Sequence, residues 1–144
     1  MIAWAVLEGL ALEPLVLNLG APVAPAIPPL QLNPTPARCL SGGQAMDPER
    51  VQALWGWGER WGRGLARSGQ PVLLSECVPG GTTTALAVLE ALGIPSMGLV
   101  SGSVRQPDHQ LKARLVQRGL AAAQLAADAS PQAVLAAVGD PMQV

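Results

Sequence analysis

The sequence predicts an α/β fold, with helices layered on a mostly parallel sheet. Three observations carry this prediction. The chain has 144 residues, the length of one domain, and a compact fold of that size buries roughly 70% of its unfolded surface. Segments with 3.6-residue apolar spacing alternate with short apolar runs bounded by turn formers. Its 49% hydrophobic content comes mainly from Ala, Leu and Val with no Phe or Tyr, which suits close-packed helices against a buried sheet.

Taken in order, residues 2–11 place Ile2, Val6, Leu7 and Leu10 at helical spacing, and residues 14–18 (PLVLN) form a buried strand candidate. From Gly20 to Pro36, prolines at 22, 25, 28, 29, 34 and 36 exclude a regular helix and favour a turn-rich excursion. Asp47-Pro48 is a helix start, with Asp as the cap and Pro at the first position, and the helix runs to about Ser68-Gly69. On it, Leu54, Trp57, Trp61 and Leu65 share one face, read as core packing rather than an aromatic ligand platform. Gly58, Gly62 and Gly64 would let another backbone approach. Residues 71–75 (PVLLS) form the next strand, residues 76–81 a glycine-containing turn and residues 82–92 a helix. Residues 97–100 are a further short strand candidate, residues 107–127 a second long helix, and Ser130-Pro131 opens a last helix to about Val138. The alternation gives a parallel, Rossmann-like layered sheet with flanking helices.

Charge and composition narrow the functions. The net charge of −1, without clustered Lys or Arg, gives no electrostatic footprint for nucleic acid or an anionic membrane. Glu8 and Glu13 interrupt the apolar N-terminal stretch, so neither a signal peptide nor a membrane span is expected. Cys39 and Cys77 have no CxxC and no His cluster around them. They read as reduced, small, buried thiols of an intracellular, cytoplasmic protein without a metal site or cofactor.

In an open α/β sheet, ligands settle beyond the carboxyl ends of the strands, near helix N-termini. The turn after Leu74 occupies that place. Gly80 and Gly81 permit close backbone approach, Thr82 and Thr83 supply hydroxyls, and Glu76 adds a carboxylate. The pattern lacks the GK[ST] of a P-loop and the GxGxxG of a dinucleotide fold, and it suits either an anion site or a plain Thr-capped helix.

The stretch SECVPGGTTTALAVLEALG at 75–93 resembles the GEMGIGNTTTA-type loop of the nicotinate-nucleotide:dimethylbenzimidazole phosphoribosyltransferase family, and more closely its cyanobacterial and archaeal GES-PGGTTTAL version. VLNLGAP at 16–22, TPARCLSGG at 35–43, the LKxxLVxxGL pattern at 111–120 and GDPMQ at 139–143 match in the same order. The resemblance implies transfer of ribose 5-phosphate from nicotinate mononucleotide to an aromatic benzimidazole base in cobalamin lower-ligand synthesis, by a homo-oligomer, a dimer. It assigns Glu76, Gly80 and Gly81 to the ribose and nicotinate side, with Thr82 near them and Thr83 also among the substrate-binding residues. Ser101, Gly102 and Ser103 resemble its phosphate turn, and Lys112 its phosphate-facing lysine.

The same resemblance makes residues 1–144 a partial nucleotide-binding domain, an incomplete portion of a larger one, with the family's general-base glutamate expected beyond Val144. No catalytic residue is therefore assigned within the chain. Ser75, Val78 and Gly81 stand where the bacterial loop has Gly, Gly and Asn, altering polarity around the base. Other residues have simpler readings. His109 suits a solvated helix start, and Asp140 a cap or turn. Arg38 could reach a carboxylate or a phosphate, and no spacing joins Asp108 to Glu76 as an acid and base pair.

Overall fold

The computed structural model describes residues 2–23, 25–32, 34–76, 78, 80–100 and 108–144. They form two compact units, Met1–Pro36 and Ala37–Val144. In the first, helix α1 (Ile2–Gly9) precedes strands β1 (Leu17–Asn18) and β2 (Leu30–Gln31). These pair in parallel, with Leu17 opposite Leu30 and Asn18 opposite Gln31. Asn18 is buried and bonds through both ends of its side-chain amide. Its amide donates to Gln31 Oε1 at 3.0 Å, while its Oδ1 accepts the Gly20 and Ala21 N–H groups at 3.0 and 2.9 Å. The proline-rich stretch thus contributes a strand, because prolines exclude a helix without forbidding a ladder at the proline-free Leu30-Gln31.

The second unit is helical: α2 (Pro48–Ser68), α3 (Gly81–Ala91), α4 (His109–Ala123) and α5 (Pro131–Val138), with 3₁₀ turns at Leu40–Gly42 and Pro141–Gln143. Leu86 and Ala87 of α3, Val116 of α4, and Val134, Ala137 and Val138 of α5 bury against one another and Leu40. A second cluster joins Met46 and Val51 to Leu135 and Ala136. The N–H groups of Ala45 and Met46 donate to the Ala137 and Ala136 carbonyls at 3.0 and 2.8 Å, tying the chain before α2 to α5.

Gly119 permits a close approach of backbone to α4. A Cβ there would lie 2.5 Å from the Leu40 carbonyl oxygen, so only glycine lets the 3₁₀ turn rest on α4. This accounts for the glycine in the LKxxLVxxGL pattern and for its pairing with TPARCLSGG.

Several expectations are corrected. Residues 71–75 and 97–100 form no strand: the first segment has no regular structure, and the second contains a turn. Apolar runs state a demand for burial, but a strand also needs a neighbour to pair its backbone, and the described residues of this unit supply no ladder. Helix α4 ends at Ala123, four residues before the expected end, where Gln124 adopts φ 48°. Asp47 begins α2 without a side-chain cap bond, and its Oδ1 instead accepts from Arg38 Nη2 at 2.8 Å. Of the expected α2 core face, Leu54 is buried, whereas Trp57 and Leu65 are exposed and Trp57 stacks with Arg60 at 4.7 Å. Open space surrounds Gly58, Gly62 and Gly64.

Candidate functional site

The glycine-threonine turn forms as a helix start. Gly80 takes φ 79°, a left-handed conformation that favours glycine, and reverses the chain into α3. The Gly81 N–H donates to the Val78 carbonyl at 3.1 Å, and the Thr83 N–H to the Gly80 carbonyl at 2.9 Å. These donors are engaged within the turn itself.

Two predicted residues meet there. The Lys112 ammonium on α4 donates to the Thr82 hydroxyl on α3 at 3.0 Å, across 30 positions of sequence. Lys112 is brought into range because Asp108 caps α4, its Oδ1 accepting the Leu111 N–H at 2.8 Å. The cap fixes the first turn of α4 and hence the stem of Lys112 one residue further on. Thr82 accepts from the ammonium while its own O–H remains a donor by chemistry, so the pair offers a cation and a hydroxyl on one edge of the two helices.

The GDPMQ segment supports that turn from behind. Gln143 Nε2 donates to the Thr84 hydroxyl at 3.2 Å and to the Gly81 carbonyl at 3.5 Å, while Thr84 Oγ1 donates to the same carbonyl at 2.8 Å. Gln143 Oε1 accepts the Asp140 N–H at 3.0 Å, and Asp140 Oδ1 accepts the Met142 N–H at 3.0 Å, forming a capping box. The cap role expected of Asp140 is present, and Gln143 is a positioning residue that sequence spacing alone does not single out. Arg50 is buried near the same segment. Burial of Arg50 pulls its pKa down, and the carboxylates of Asp140 and then Asp47 oppose that shift.

Glu76 is exposed, and the described contacts do not join it to Thr82 or Lys112. Thr83 is half-buried. Ser101, Gly102 and Ser103 lie outside the described residues, as does Cys77. Arg38 spends its charge on Asp47 and on the Gln44 carbonyl, its Nε donating to the latter at 2.7 Å. His109 is exposed at the start of α4. Cys39 is exposed, correcting the expectation of a buried thiol. Its pKa lies below the ordinary thiol range, held there first by the Ser41 hydroxyl 3.2 Å away, then by the Ser41 backbone and Arg118, with slight burial opposing.

A separate groove of about 650 Å³ runs between α2 and α5, lined by residues including Gln52, Trp55, Glu59 and Gln132. None of the predicted site residues lines it. Among the described residues no group of three or more His, Cys, Asp or Glu side chains could hold a metal ion, and no helix is long and apolar enough to cross a membrane.

The chain is 56% identical over 146 residues to a protein of Parasynechococcus marenigrum, 47% over 146 residues to one of Prochlorococcus marinus and 48% over 145 residues to one of Thermosynechococcus vestitus. All three carry one name. These homologues are UPF0284 proteins. The matches take in 99%, 99% and 100% of this chain but only 36%, 36% and 38% of the respective relatives, so the chain spans little more than a third of their length. Further UPF0284 proteins from Gloeobacter violaceus and Microcystis aeruginosa match over 99% of the chain. The family name carries no activity. No protein-family model matches the chain.

Proposed function

We propose that the chain forms the phosphate-holding wall of a nicotinate mononucleotide site in a UPF0284-type phosphoribosyltransferase. The observation that supports this reading is the Lys112–Thr82 contact, which joins residues of two separate sequence motifs. In the proposed reaction a ring nitrogen of the benzimidazole attacks ribose C1′, the bond from C1′ to nicotinate breaks, and nicotinate leaves with the bonding electrons. A carboxylate takes the proton from the attacking nitrogen. That carboxylate would come from polypeptide outside the matched region.

This chain's contribution is positional. A lysine ammonium acts as a point charge on a phosphate dianion, and Thr82, expected on the ribose side but bonded to Lys112, would donate its hydroxyl proton to a phosphate oxygen instead. Holding the phosphate fixes C1′ relative to the incoming base, which turns binding energy into orientation. The Gln143 bridge and the Asp108 cap would keep the two donors in register.

Titration calorimetry of nicotinate mononucleotide into the chain tests the reading, with one saturable site expected. A parallel incubation with nicotinate mononucleotide and dimethylbenzimidazole should release no nicotinate from the chain alone. Absence of saturable heat would contradict the proposed site. Release of nicotinate by the chain alone would contradict the external carboxylate.

A further inference from the structure

The strand candidate at 71–75 is uncovered, and the one at 97–100 is covered only at Val100, which packs against the core. Val72, Leu73 and Leu74 are 47%, 92% and 86% exposed, and Leu99 is 79% exposed. The first run lacks helix, turn and ladder, and no charge interrupts the stretch between Arg67 and Glu76. Exposed apolar segments without charged guards are a liability that folded proteins usually cover.

The order of residues indicates what sort of cover is needed. In strand geometry, Leu73 and Leu74 would point to opposite faces, so a single helix laid on one side would bury only one of them. A strand apolar on both faces belongs inside a layered sheet, with neighbours along its edges and helices above and below. Pro71 at its first position does not oppose this. The relatives supply a source of such neighbours: they match this chain at 47–56% identity, yet most of their polypeptide lies outside the match.

We propose that residues 71–75 are a docking segment that becomes a strand on assembly, and that its occupant is the portion of UPF0284 polypeptide outside the matched region. That portion supplies at least one neighbouring strand and the covering layer, whether carried on the same chain or on another. The inference concerns assembly and stands apart from the choice of ligand.

Hydrogen exchange of the Val72 to Ser75 amides distinguishes the possibilities. It is measured in this chain at low and high concentration, and in a chimera in which this chain replaces the matched 146 residues of the Parasynechococcus marenigrum protein. Exchange should be near the unprotected rate in the chain at both concentrations and slower by about 100-fold or more in the chimera. Leu73→Asp in the chimera should restore fast exchange there, whereas Leu73→Ile should retain protection. Equally fast exchange in chain and chimera overturns the proposal. So does protection that rises with concentration in the chain alone, because that outcome assigns the strand to a second copy.

Discussion

Lys112 Nζ on α4 lies 3.0 Å from Thr82 Oγ1 on α3, so the fourth residue of one helix reaches the first turn of the other. The contact is exposed, which limits its worth to the fold. Thr82→Val should therefore change stability by less than about 1 kcal/mol, read from the urea midpoint at constant slope. The same substitution should weaken nicotinate mononucleotide binding, because it removes a hydroxyl donor. Large destabilisation with unaltered binding would identify the contact as structural.

Gly119→Ala sets a Cβ against the Leu40 carbonyl at 2.5 Å, where the opposing atom is backbone and cannot swing aside. Overpacking of this kind typically costs about 1–3 kcal/mol, and alanine's higher helix propensity returns at most about 1 of it. The urea midpoint should fall. Gly58→Ala on α2 is the matched control: nothing lies within 4 Å of the added methyl, so propensity acts alone and the midpoint should rise.

Gln143 holds the α3 turn through its amide donors while its carbonyl serves the capping box. Gln143→Glu keeps the acceptor for the Asp140 N–H but loses the donors to Thr84 and Gly81. Its carboxylate also faces the Gly81 carbonyl. Amide exchange at Gly81 and Thr83 should accelerate, while Met142, held by Asp140 Oδ1, should change little. Equal acceleration at all three would show that the segment opens as one piece.

Cys39 provides a pH-dependent readout. Its lowered pKa means that thiolate persists to lower pH than in an ordinary cysteine, and alkylation stops as pH falls through that lowered value. In a Cys77→Ser background, the pH at half-maximal iodoacetamide rate should lie below that of free cysteine. Ser41→Ala should move it up, since the Ser41 hydroxyl is the largest cause of the shift. No movement would assign the shift elsewhere.

The helices were legible because their signals are local. Ser130-Pro131 begins α5, and the Ser130 hydroxyl accepts the Ala133 N–H at 3.2 Å. The same reasoning reached the start of α2 but not its cap, because nothing within a few residues reveals that Arg38 would claim the Asp47 carboxylate. PVLLS announced burial without announcing a neighbour, and the exposed Cys39 sits beside a buried Leu40 that a small apolar motif does not distinguish. Of the candidate site, Thr82 and Lys112 could be selected from motifs and are joined in the fold. Gln143 could not be assigned its task, since its partners Gly81 and Thr84 lie 62 and 59 positions away.

The most direct measurement is a binding cycle that isolates the phosphate. Nicotinate mononucleotide and its phosphate-free nucleoside are each titrated into the chain and into Lys112→Ala. Loss of a charge-assisted contact should weaken mononucleotide binding by about tenfold or more, corresponding to about 1.4 kcal/mol, and leave the nucleoside's affinity unchanged. Equal weakening of both ligands, or no change in either, would contradict the assignment of Lys112 to the phosphate.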